Sequence, residues 1–325
     1  MAKRHSICAV AGAMVLAASP ALAQPKPASP TSPTSPAEPT SPIKPIKSAP
    51  AAHEATFSPV TWDPRWPRFR TEEFIATGAM AAVAFGSLAI PVTEDRWTTV
   101  NGFDAGVRDA LRLSGYERRE AAKDASDVGL TLLINQLLID NAVVVWWGHG
   151  RSEEALQLTL MDIEALAFTS AVNGIIAGFA SRQRPYRETC IGPEELQSQD
   201  CTSSKRYRSY FSGHTSTSFT IAGLVCMHHA HLPIYGGGAP DAIACGASFI
   251  AAAAVGTMRV ISDQHFASDV LTGAAFGTLS GIGLPWLLHY RGGATPPTSR
   301  GRAGSGGVSV RLAPAPTGAY LMGAF

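Results

Sequence analysis

Between residues 71 and 290 the chain alternates long apolar runs with polar connections. Three of the runs, Phe74 to Val92, Ala242 to Met258 and Val270 to Tyr290, hold no Asp, Glu, Lys or Arg. None of the runs shows the two-residue alternation of a half-exposed strand, so helices are the simplest reading. The pattern predicts six, over Glu72–Ile90, Ser126–Trp147, Glu154–Ser181, Thr215–His231, Pro240–Val260 and Phe266–His289. A further amphipathic helix is expected over Gly106–Asp124. The expected fold class is all-α, a single six-helix bundle core flanked by disordered ends.

Whether that bundle sits in water or in lipid stays open at this level. The second helix carries Asn135, Gln136 and Asp140, the third Asp162 and Glu164, and the fourth ends in His228, His229 and His231. A buried helix of a large soluble bundle is as apolar as a membrane span. The three clustered histidines read as a polar helix end rather than as metal ligands. Charge narrows the function classes. With 26 Lys+Arg against 25 Asp+Glu the net is +1, which leaves no electrostatic footprint for nucleic acid. Hydrophobic residues at 46% rule out a wholly disordered or collagenous chain despite 31 Gly and 23 Pro.

The two ends read differently from the core. Lys3, Arg4 and His5 precede an apolar run from Ile7 to Ala18 that closes on Ala21-Leu22-Ala23, the pattern of a secretory signal peptide over residues 1–23. Residues 24–60 form a Pro/Ser/Thr-rich linker with prolines at positions 30, 33, 36, 39, 42 and 45, suited to an extended tether. The helical domain takes residues 71–290, and 291–325 is a Gly/Pro-rich tail in which Val308–Leu312 and Ala319–Phe325 have the makings of a short hairpin. Export implies an oxidising compartment, so Cys190 and Cys201, in one polar loop, are expected to form a disulfide. Cys226 and Cys245 lie in apolar runs and are expected as buried free thiols.

Chemistry concentrates in three short segments where apolar runs stop: Ser181-Arg182-Gln183-Arg184-Pro185, then Ser212-Gly213-His214, then Arg259 with His265 and Asp269. If neighbouring helices are antiparallel, all three meet at one end of the bundle. The start of the fourth helix offers unpaired N–H groups to an anion, Gly213 lets the backbone come close, and Ser212 adds a hydroxyl. Arg184 and Arg259 have the planar fork that phosphate oxygens prefer. His265 and Asp269, four residues apart, suit a carboxylate that fixes the ring's tautomer and frees its other nitrogen to attack. His214 is then placed to protonate a leaving oxygen.

These motifs resemble the type-2 phosphatidic acid phosphatase and vanadium haloperoxidase superfamily, whose pattern runs Lys-x6-Arg-Pro, Pro-Ser-Gly-His, Ser-Arg-x5-His-x3-Asp. Arg184-Pro185, Ser212-Gly213-His214 and Arg259 followed by His265 and Asp269 match it in order and internal spacing. The resemblance implies that fold over about Glu72–Tyr290, with His265 as nucleophile forming a phosphohistidine, Asp269 orienting it and His214 as acid. Arg184, Ser212, Gly213 and Arg259 then hold the phosphate. It implies no metal and no cofactor; vanadate enters only under the alternative of halide oxidation. A third reading is an inactive envelope scaffold of the same fold. Three positions depart: Ala177 stands where the family has its lysine, Phe211 replaces the proline and Met258 the serine. Expected partners are a phosphorylated small-molecule or lipid substrate, with membrane contact and no nucleic acid. The expected location is the cell envelope with the site on the periplasmic side, since a Cys190–Cys201 bond belongs there. Six spans from an exported N-terminus would instead put that loop inside, and the inward bias of basic loops agrees with the latter.

Overall fold

A computed structural model describes residues 59–190, 199–292, 309–315 and 318–324. The expected signal peptide, the expected linker as far as residue 58 and most of the tail therefore lie outside the described residues. The core is all-α: α1 Thr71–Gly86, α2 Gly102–Leu111, α3 Tyr116–Leu138, α4 Ser152–Ala180, the four-residue α5 Gln199–Thr202, α6 Gly213–His231, α7 Ala239–Ile261 and α8 Ala267–Thr278. α3 continues as a π-helix over Ile139–Gly148, and α8 through π-helical turns at Leu279–Gly283 and Trp286–Tyr290. In the tail, β1 Ser309–Ala315 pairs antiparallel with β2 Gly318–Ala324.

Local chemistry sets most boundaries. Asn101 caps α2 by accepting the Asp104 N–H at 2.8 Å. α4 stops where Ser181 turns left-handed (φ 47°), four residues before Pro185. Gly238 precedes α7, and Pro240 sits in its first turn. The expected Gly106–Asp124 helix is in fact two pieces. Gly115, at φ +85°, breaks it, and the Leu113 N–H leaves the helical ladder to bond the Ile261 carbonyl at 3.0 Å. Its second half is the first two turns of α3.

α6 is the central post, with Ile221, Ala222 and Leu224 sealed from solvent between α7, α8, α4 and α3. Glycines make this possible: a Cβ at Gly277 or Gly281 would run into the α6 backbone at Ser216 or Thr220. At one end of the post Trp62, Trp66 and Tyr290 pack on one another, joining both ends of the core. At the other end the loop after α1 meets the loop before α6, where Arg208 donates to the Ile90 carbonyl at 2.6 Å.

One expectation needs correction. Cys190 and Cys201 are bonded, but so are Cys226 and Cys245, which join α6 to α7 with Cα atoms 4.4 Å apart. Two of the histidines at the polar end of α6 are moreover buried partners of carboxylates. His228 is held between Asp162 (2.9 Å) and the Tyr290 hydroxyl (2.8 Å), and His229 sits 2.5 Å from Asp241, all buried.

The exterior is as apolar as the interior. Phe85, Trp147, Ile250 and Leu279 are each more than seven-tenths exposed, with Leu132, Leu156, Phe179 and Trp286 more than half exposed. The helices Tyr116–Gly148, Ser152–Ala180, Ala239–Ile261 and Ala267–Tyr290 are long and apolar enough to cross a membrane.

Candidate active site

The three segments converge at the end of the bundle away from Trp62 and Tyr290. His265 lies in the loop between α7 and α8, 2% exposed. Its Nδ1 is 2.8 Å from the Ser209 carbonyl oxygen, which can only accept, so Nδ1 carries the proton and Nε2 keeps its lone pair. Burial first, and then the charges of Arg184 and Arg259, hold the ring well below the usual histidine range.

Asp269 is not the direct orienting partner expected. It lies 3.8 Å from His265 Nδ1, beyond hydrogen-bond reach, because His265 precedes α8 rather than sharing a helical face with it. The carboxylate instead accepts the Ser209 hydroxyl at 2.6 Å, the Phe266 N–H at 3.0 Å and Arg182 at 2.5 Å. Asp269 therefore positions the histidine through Ser209, whose carbonyl holds the ring. The Ser212 N–H also donates to the Asp269 backbone carbonyl at 3.1 Å, tying the start of α6 to the same point.

Ser212 caps α6, its hydroxyl oxygen 2.8 Å from the Thr215 hydroxyl. Gly213 opens the helix, and a Cβ there would meet the Asn173 side chain at 3.0 Å. His214 follows, one-third exposed, with Nε2 2.8 Å from Asp127 of α3. The same carboxylate oxygen lies 3.0 Å from Arg259, which also donates to Ser126 at 2.9 Å. Arg184 is held by neutral acceptors, Gln264 at 2.8 Å and the Arg208 carbonyl at 3.4 Å. Ala177 is buried on α4, one turn beyond Asn173, whose amide bonds the Phe211 carbonyl at 2.7 Å. The position of the family lysine thus belongs to the helix face against this loop, and carries a methyl group.

Arg182 is not a spare cation for substrate. It is 1% exposed, bridges Asp104 (2.6 Å) and Asp269, and lies between the rings of Trp97 and Phe266, 4.5 and 4.4 Å from their centroids. Asp104, Asp127 and Ser209 were not singled out from the sequence. Nothing local marks them, since each acts on a motif residue tens of positions away.

A buried imidazole, two motif arginines and the start of a helix gather at one end of an all-α bundle, an arrangement suited to an anion. Residues 160–292 match the family model of the PAP2 superfamily. Over 73 residues the chain is 42% identical to a lipid A 1-phosphatase of Porphyromonas gingivalis. That stretch is 22% of this chain and 15% of that relative, so the match spans a small part of the relative's length. Among solved structures it is similar to a transmembrane PAP2 type phosphatidylglycerolphosphate phosphatase from Bacillus subtilis. The likeness has a TM-score of 0.42 and 19% identity, and covers 66% of this chain and 92% of that one.

Proposed function

We propose that the protein is a phosphoric-ester hydrolase acting on lipid phosphates through a phosphohistidine, without a metal. The observation that carries this reading is the tautomer of His265, whose proton is held on Nδ1 by the Ser209 carbonyl. Nε2 attacks phosphorus with its lone pair, and the bond from phosphorus to the leaving oxygen breaks. That oxygen takes the proton of His214. Water then attacks the phosphohistidine, returning a proton to His214 as the phosphorus–nitrogen bond breaks and inorganic phosphate leaves. Arg184, Arg259 and the N–H groups of Gly213 and His214 stabilise the charge on the equatorial oxygens.

The apolar exterior supports a lipid setting, because side chains such as Trp147 and Ile250 have nothing to gain from water. The site faces the oxidising side of the membrane, where the Cys190–Cys201 bond persists. Both ends of the core then face the other side, since Trp62 and Tyr290 pack together at the opposite end.

Two measurements test the proposal. Purified protein hydrolyses phosphate esters in the presence of a chelator, and trapping with acid-labile phosphate chemistry finds label on wild type but not on His265→Ala. Equal turnover by the two proteins sinks the histidine mechanism.

A further inference from the structure

We propose that a groove between α2, α7 and α8 holds the hydrocarbon chain of the substrate whose phosphate sits at His265. This deepens the lipid-phosphate reading above and rests on it. The groove has a volume of about 300 Å³ and is walled by Phe103, Val107 and Leu111 from α2, Gly256 and Val260 from α7, and Ala267 from α8. That is the size of the smaller ligand pockets. Thr257 is the one polar side chain in its lining among the described residues, and its hydroxyl is turned back to the Ala253 carbonyl at 2.9 Å. Such a lining offers a ligand contact with methylenes and little else.

Position connects the groove to the chemistry. Val260 follows Arg259, and Ala267 comes two residues after His265. A Cβ on Gly256 would lie 3.2 Å from the Thr215 methyl, and the Thr215 hydroxyl is bonded to Ser212. One end of the groove is thus the back of the phosphate seat. The other end opens between half-exposed Phe103, Leu111 and Leu271, level with the apolar exterior of the bundle.

α2 is fixed as its roof by the adjacent helix face. Asp104 accepts from the Ser268 N–H at 2.8 Å and from Arg182, and Arg108 pairs with Asp263 at 2.7 Å. The same ten-residue helix therefore braces the site loops with its polar side and leaves an apolar side over the groove. Small residues keep the floor hollow, Ala253 on α7 and Ala274 on α8. A second apolar hollow, between Leu138, Trp146 and Leu156, lies at the far end of the bundle and touches none of the site segments.

The experiment uses the full chain in detergent and a series of n-alkyl phosphates from ethyl to octyl, kept below their critical micelle concentrations. The readout is the ratio of kcat/KM for octyl over ethyl phosphate. In wild type it rises with chain length by up to about fourfold per methylene, the value of fully burying one, and passes tenfold overall. Ala274→Phe and Ala253→Phe, which fill the floor, bring the ratio toward one. Val107→Ala, which enlarges the groove, shifts the rise to longer chains. Ala142→Phe, which fills the distal hollow, keeps the wild-type ratio. A chain-length profile unchanged in all the α2, α7 and α8 variants overturns the proposal, as does loss of the profile in Ala142→Phe alone. If wild type leaves every alkyl phosphate intact, the phosphatase reading itself is what fails.

Discussion

Replacing Arg182 by methionine isolates the contribution of the bracing network to stability and to catalysis. The substitution keeps most of the side-chain volume between Trp97 and Phe266 but removes a cation that serves two fully buried carboxylates, Asp104 and Asp269. Breaking a buried ion pair on one side costs about 3–5 kcal/mol, because the partner is left charged and unpaired. Here each carboxylate retains other donors. Asp104 keeps the Ser268 N–H, the Ser268 hydroxyl and the Asn101 amide, and Asp269 keeps Ser209 and Phe266. The lower end, about 3 kcal/mol, is therefore expected, still a large share of a total of about 5–15 kcal/mol. Denaturant unfolding in mild detergent measures it, with turnover on a soluble phosphate ester followed in parallel. Turnover falls too, since Asp269 holds Ser209 and Ser209 holds the His265 ring. Adding Asp104→Asn removes one of the stranded charges and recovers at least about 1 kcal/mol, a coupling expected only between contacting groups. Arg182→Met with stability within about 0.5 kcal/mol of wild type and unchanged turnover refutes the network argument.

Two further outcomes follow from the charges around the histidines. His265 has its folded-state pKa held below the unfolded value, so over the interval between them the unfolded chain binds the extra proton and stability falls as pH drops below about 6.5. The acid limb of kcat/KM, corrected for substrate ionisation, lies well below that value in wild type and moves up in Arg184→Gln. A wild-type limb at 6.5 that ignores the substitution contradicts the assigned cause. Making the anion seat more positive, by Ala177→Lys on the face beside Asn173 or by Asp127→Asn beside His214 and Arg259, strengthens inhibition by inorganic phosphate. Ala177→Lys also raises kcat by about tenfold or more, part of what one well-placed donor contributes; no change or a fall in both readouts counts against a missing cation.

The bundle was legible because long charge-free runs leave few ways to bury themselves, and the motif residues because their spacing is local. His265 and Asp269 are four residues apart in any fold, and Ser212, Gly213 and His214 are consecutive. What spacing does not carry is which partner a group chooses. Asp269 sits at the right interval for His265, yet the turn into α8 puts the Ser209 carbonyl nearer, and the carboxylate acts one residue removed. Cys226 and Cys245 look alike in sequence whether free or bonded, because only the approach of α6 and α7 brings them together. Gly115, inside the expected amphipathic stretch, takes a left-handed φ and separates α2 from α3.

The row of arginines shows the limit most clearly. Residues 182, 184, 187, 206, 208 and 259 read in sequence as one basic surplus over a near-neutral chain. Folding sorts them by partner. Arg182 is neutralised twice by buried carboxylates, and Arg208 is spent on the carbonyls at the end of α1. Arg184 alone of the motif arginines bonds only neutral acceptors among the described residues, and Arg259 meets the half-exposed carboxylate of Asp127. On the proposed function, the charge that reaches a phosphate at His265 is therefore set by Asp104, Asp127 and Asp269 as much as by the arginines. Those aspartates decide which cations are left for the substrate.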